Sequence, residues 1–131
     1  MFSGKAIALR LAQDGYDVCV NDIQANHSQA ESVVKDIQRM GRNAFSFIAD
    51  VSNLQEVQKL VEASVNELGP LSTMVANAGI AQVKALLDLT EQDLRRMFEV
   101  NGKHCSNIWN PSTDLFKSLA FIIAIPLQQS K

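Results

Sequence analysis

Asp22, Asp50 and Asn77 each close a short apolar run, and Asn101 sits among apolar residues inside a helical pattern. A carboxylate such as Asp22 can accept hydrogen bonds from both hydroxyls of a ribose. It lies 18 residues after Gly4, close to the roughly 20-residue spacing between a glycine-rich phosphate loop and such an acid. Its negative charge repels a 2′-phosphate, which favours NAD over NADP. The same residue serves equally well as a solvated Asp at a strand-to-helix turn. Asp50 either meets the amino group of an adenine or caps the following helix together with Ser52. Asn77-Ala78-Gly79 is a small-residue turn that lets the backbone pass close to a flat ligand, or simply a turn. The amide of Asn101 must find partners if it is buried, and a structural bond is as good a reading as a functional one.

These residues need a scaffold that brings strand ends together, and the apolar periodicity supplies one. Residues 4–14 (GKAIALRLAQD) space Ile7, Ala8 and Leu11 as a helix that stops at Gly15. Residues 16–20 (YDVCV) alternate as a strand. Asn26 opens a second helix with Ala30, Val33, Val34 and Ile37 on one face, ending at Gly41. Residues 44–48 (AFSFI) form the next strand, and Ser52 with Gln55 has the form of a capping box. The helix it opens carries Val57, Leu60, Val61, Val65 and Leu68 and stops at Gly69-Pro70. Residues 71–76 (LSTMVA) read as a third strand. After a polar loop, Thr90 and Asp93 cap a helix with Leu94, Met97, Phe98 and Asn101 on one face. Alternation of this kind predicts an α/β fold with a doubly wound parallel sheet. Its ligand site then lies at the carboxyl ends of the strands.

Past Asn101 the pattern changes. Asn110-Pro111-Ser112 breaks any helix there, and residues 119–127 (LAFIIAIPL) form an apolar run suited to a buried strand. The 131 residues are therefore read as one partial domain, regular over 4–101 and atypical over 102–131.

Composition narrows the partners. A formal net charge of −2 gives no electrostatic reason to expect nucleic acid or an anionic membrane. No stretch approaches the ~18 apolar residues of a membrane helix. Lys5 and Arg10 interrupt any signal-peptide core. The two cysteines, Cys19 and Cys105, form neither a metal spacing nor a disulfide framework. Cys19, in an apolar strand pattern, is read as a buried thiol and Cys105, near a helix end, as inert rather than reactive, and a reducing cytoplasmic setting is expected.

Taken together, GKAIALRLAQDGYDVCVNDI, then DVS, then NAG within MVANAGI, then FEVN, in this order and at these intervals, resembles the short-chain dehydrogenase/reductase family. The opening stretch is most similar to its diacetyl/acetoin reductase branch. The resemblance implies a Rossmann-type domain with Gly4 as the last glycine of the cofactor loop. It implies Asp22 on the adenosine ribose of NAD and Asp50 with Val51 beside the adenine. Asn77, Ala78 and Gly79 line the cofactor cleft, and Asn101 is the active-site asparagine that orders a proton-relay water. It implies a small carbonyl or alcohol substrate and a homo- or hetero-oligomer formed through the helix near Thr90.

The departures from the family pattern also carry expectations. A first strand and the leading glycines of the loop are absent. So are the family's carbonyl-polarising serine turn and its Tyr-x-x-x-Lys, since the only tyrosine is Tyr16. Loss of a general acid alone costs about 100-fold to 10,000-fold in rate. A truncated enzyme that is inactive by itself is expected, with parent activity on a small ketone or diketone. The alternative is a non-catalytic module that pairs with full-length family subunits. A phosphoacceptor receiver module has the same α/β rhythm, but it needs a lysine after the last strand, and only the terminal Lys131 follows Leu127. Without the first strand the sheet is left with two unpaired inner edges. One conceivable repair is that the apolar run 119–127 slides into that slot, although Pro126 argues against its far end being central.

Overall fold

The computed structural model describes residues 3–80, 85–103 and 121–124. Helix α1 (Ser3–Gln13) leads into strand β1 (Val18–Asp22), and a single 3₁₀ turn (Gln24–Asn26) precedes helix α2 (His27–Arg39). Strand β2 (Ala44–Ile48), helix α3 (Leu54–Leu68) and strand β3 (Thr73–Val75) follow. A second 3₁₀ turn (Leu86–Asp88) then leads to helix α4 (Glu91–Asn101), and strand β4 (Phe121–Ala124) comes last. The helix stops are those the glycines predict. Gly15, Gly41 and Gly69 all take positive φ, which a side chain would resist.

All four strands are parallel, in the order β2-β1-β4-β3. In the doubly wound order 3-2-1-4-5-6, the place between the second and fourth strands belongs to the strand that precedes the phosphate loop. Here β2, β1 and β3 take the third, second and fourth places, and β4 takes the first. Val18 to Asn21 of β1 face Phe121 to Ala124 of β4 on one side, and β4 faces β3 on the other, with Ile122 opposite both Cys19 and Met74. Residues 121–124 of the C-terminal apolar run thus occupy the central slot, and β1 and β3 are both paired with them. The ends of that run, Pro126 among them, lie outside the described residues, as do Cys105 and Asn110-Pro111-Ser112.

Helices cover both faces of the sheet, so β1 is buried along its whole length. On one face Val18 and Val20 pack with Ala8 and Ala12 of α1 and with Ala30, Val33, Val34 and Ile37 of α2. On the other, Cys19 packs with Leu60 and Val61 of α3 and with Leu71. Burial pushes the Cys19 thiol up to about 12, although a hydrogen bond with Ser64 opposes the rise, so it stays protonated and inert.

Three boundaries differ from expectation. Strand β1 begins two residues later than read, because Val18 is where pairing with Ala44 starts. Strand β3 is confined to Thr73–Val75, the stretch that β4 pairs. Helix α3 is capped by Asn53 and not by Ser52: the Asn53 side chain accepts from the Gln55 N–H at 3.0 Å and donates to Glu56. Ser52 has turned away to Asp50. Thr90 and Asp93 do form the expected reciprocal capping box on α4.

Candidate functional site

The carboxyl ends of β1, β2 and β3 carry Asp22, Asp50 and Asn77. The N-terminus of α1 joins them there. Ser3 Oγ donates to Asn77 Oδ1 at 3.2 Å, which ties the start of α1 to the chain leaving β3. Gly4, the next residue, is buried. Backbone N–H groups at such a helix start favour negative charge.

Asp22 is 6 % exposed. Its Oδ1 accepts from the Ile23 N–H at 2.8 Å and from Asn26 Nδ2 at 2.9 Å. Its Oδ2 is buried with no hydrogen-bond partner among the described residues. Burial raises the carboxyl pKa above its ordinary value, and the Asn26 and Ile23 hydrogen bonds pull it part of the way back. An orphan carboxylate oxygen is costly. A donor such as a ribose hydroxyl would satisfy it, so this residue fits the adenosine ribose of a dinucleotide.

Asp50 is exposed and folds its carboxylate back on its own loop. Oδ1 accepts from the Ser52 N–H at 2.9 Å and from Ser52 Oγ at 2.7 Å, an Asx turn rather than a helix cap. Its own N–H donates to Glu56 Oε2 at 2.7 Å. Val51 is buried against Val57, and Ala78 packs on that pair, so the loop after β2 touches the loop after β3.

Asn101, the last residue of α4, holds the small-residue turn. Its Oδ1 accepts from the Ile80 N–H at 2.8 Å and its Nδ2 donates to the Ile80 carbonyl at 2.9 Å. A Cβ at Gly79 would lie 3.2 Å from Asn101 Oδ1, so glycine is what allows this approach. The amide is exposed. Every residue singled out in the sequence is therefore on one edge of the molecule: Asp22 with Asp50 and Val51, and Asn77 to Gly79 with Asn101. The site bonds of Ser3, Asn26 and Glu56 were not read from the sequence, which marked Asn26 only as a helix start. Each is a polar side-chain hydrogen bond, of which apolar periodicity carries no sign.

This arrangement of parallel strands, with acidic and amide residues at their carboxyl ends and a helix N-terminus between them, matches known proteins. The family model described as short chain dehydrogenase matches residues 3–117. The chain belongs to this family. The match runs beyond Asn101, where the sequence likeness was read to end. A short-chain dehydrogenase/reductase from Armillaria gallica is 46 % identical over 98 residues, covering 75 % of this chain and 38 % of that protein. A diacetyl reductase, (S)-acetoin forming, from Staphylococcus epidermidis is 38 % identical and covers 75 % of this chain and 37 % of its own. The crystal structure of a Burkholderia cenocepacia short-chain dehydrogenase in complex with NADP superposes with a TM-score of 0.72 at 30 % identity. It covers 82 % of this chain and 43 % of that one. The chain spans well under half the length of these relatives. Among the described residues, no helix is long and apolar enough to cross a membrane.

Proposed function

We propose that the strand-end edge of this chain holds the adenosine half of NAD. The buried, unpaired Oδ2 of Asp22 carries the reading, because the ribose diol supplies the donor it lacks. Asp22 repels the 2′-phosphate of NADP, Asp50 and Val51 flank the adenine, and the start of α1 at Ser3-Gly4 faces the pyrophosphate. Ala78 and Gly79 leave the cleft floor without bulky side chains, and Asn101 keeps that floor in place.

The parent reaction is carbonyl/alcohol oxidoreduction on a small ketone or diketone, a substrate class supported by the likeness to the Staphylococcus diacetyl reductase. Bound cofactor supplies the hydride in such a reaction. This chain's residues supply placement, but its sequence holds no Tyr-x-x-x-Lys to move the proton, so it does not turn over by itself. A reducing, cytoplasmic setting suits the buried Cys19 thiol.

Titration of the purified chain with NADH, followed by fluorescence, tests this. Saturable binding at submillimolar to millimolar concentration, weakened by about tenfold or more in Asp22→Ala and weaker still for NADPH, is expected. No binding of NADH or ADP-ribose at millimolar concentration contradicts it.

A second reading rests on α4 and the 3₁₀ turn before it. Leu87 in the turn is 96 % exposed, Phe98 of α4 is 74 % exposed, and Leu94 is also open. Exposed apolar side chains of this kind suit pairing with a full-length family subunit. Co-purification of the two chains decides it.

A further inference from the structure

Asn21 is the residue before the ribose-facing acid, and it is a polar side chain in a strand buried along its whole length, only 1 % exposed. A generic β-branched residue would serve the core better there. Its amide explains the choice. Asn21 Nδ2 donates to the Phe47 carbonyl at 2.9 Å and to the Ala49 carbonyl at 3.2 Å, both at the end of β2, with a longer approach to the Asp22 carbonyl at 3.5 Å.

The bond to Ala49 reaches past the last ladder residue, Ile48. The Ala49 N–H already donates to the Asp22 carbonyl at 3.1 Å. Both backbone groups of Ala49 are therefore held by β1, one by the main chain of Asp22 and one by the side chain of Asn21. The next residue is Asp50, whose N–H is held from the other side by Glu56. Val51 follows, buried under Ala78. We infer that Asn21 is a positioning residue. Its amide extends the β1–β2 pairing beyond the ladder and sets the separation between Asp22 and the Asp50-Val51 loop, and with it the width of the adenosine pocket. The functional part of this inference rests on the dinucleotide reading above; the geometric part does not.

The variants Asn21→Leu, which keeps the branched shape and the number of heavy atoms but removes both donors, and Asn21→Thr, which keeps one hydroxyl donor, test it on the full chain. Amide hydrogen exchange is read residue by residue without ligand, and ADP-ribose affinity is measured alongside. In Asn21→Leu, exchange at Ala49 and Asp50 is expected to rise by about tenfold or more while Val18 and Phe45, at the other end of the same strands, are unchanged. Asn21→Thr falls between, and ADP-ribose affinity drops in the same order. A uniform rise along β1 and β2, no rise at Ala49 and Asp50, or unfolding of both variants would make Asn21 a core residue only and overturn the inference. If the unmodified chain binds no ADP-ribose, the dinucleotide reading fails, and the exchange pattern still decides the positioning role.

Discussion

Every side chain of β1 is buried, whereas those of β3, on the far side of β4, are only half-buried. The helices repeat the contrast: α2 seats Ala30, Val33, Val34 and Ile37 in the core, and α4 seats none of its residues. The first region is held by apolar packing on both sheet faces. In the second, Met74 and Val75 of β3 still pack on the core, but the turn beyond β3 is tied by side-chain hydrogen bonds, Ser3 to Asn77 and Asn101 to both backbone groups of Ile80, with Ala78 resting on Val51 and Val57. The two acidic strand ends belong to the packed region, and the small-residue turn belongs to the bonded one. Strand β4 lies between the regions and pairs with both. The difference separates two ways of fixing a site, one by burial and one by hydrogen bonds that a single substitution can remove.

The largest effect should come from removing the strand that joins them. Ending the chain after residue 118 exposes the inner edges of β1 and β3, whose backbone groups then lack partners. Loss of a cooperative thermal transition, read by far-UV circular dichroism, is expected; an unchanged melt breaks the comparison at its centre. Next comes a matched pair of truncations. Ile37→Ala empties a fully buried site in α2 and should cost about 2–5 kcal/mol in chemical denaturation. Phe98→Ala on α4 removes a larger side chain that is 74 % exposed and should change stability by less than about 0.5 kcal/mol.

Asp22→Asn sharpens the comparison inside the packed region. Burial raises the Asp22 pKa in the folded chain, so the unfolded chain releases its proton first as pH rises. This group's contribution to stability is therefore greatest at low pH and falls as pH climbs from the ordinary carboxylate value through the raised one. Denaturation midpoints should show Asp22→Asn at or above the parent at neutral pH, with the gap closing on acidification, while NADH affinity falls. The smallest effect belongs to the bonded region. Asn101→Ala frees the exposed Ile80 groups and should cost about 1 kcal/mol or less. Gly79→Ala alone should push the Asn101 amide aside, and the two substitutions together should cost less than their sum, as a double-mutant cycle reads.

How much of this was legible in the sequence follows the same division. Helices α1 to α3 and their glycine stops were readable because apolar periodicity and positive-φ glycines report packing and turns directly. The site residues were readable as types at strand ends, and the structure sets them on one edge. Ser52 was misassigned because a hydroxyl and a Gln three residues on satisfy the capping pattern equally well as local chemistry. Asn53 won, one residue later, once Asp50 had taken Ser52 for its turn. Asn21 lay just past the strand read over 16–20 and was not singled out, since nothing in a single sequence shows that its amide reaches carbonyls on the neighbouring strand. The placement of β4 was suggested by its apolar run alone. Which slot it fills depends on strands far away in the chain, information that no local pattern contains.

The most direct measurement is the set of interstrand backbone nuclear Overhauser contacts of Ile122 in the isotopically labelled chain. Contacts to both Cys19 and Met74, in the parallel register, are expected if β4 completes the sheet between the packed and the bonded regions. Contacts to neither, with β1 still protected from exchange, would place the C-terminal run outside the sheet and contradict the account.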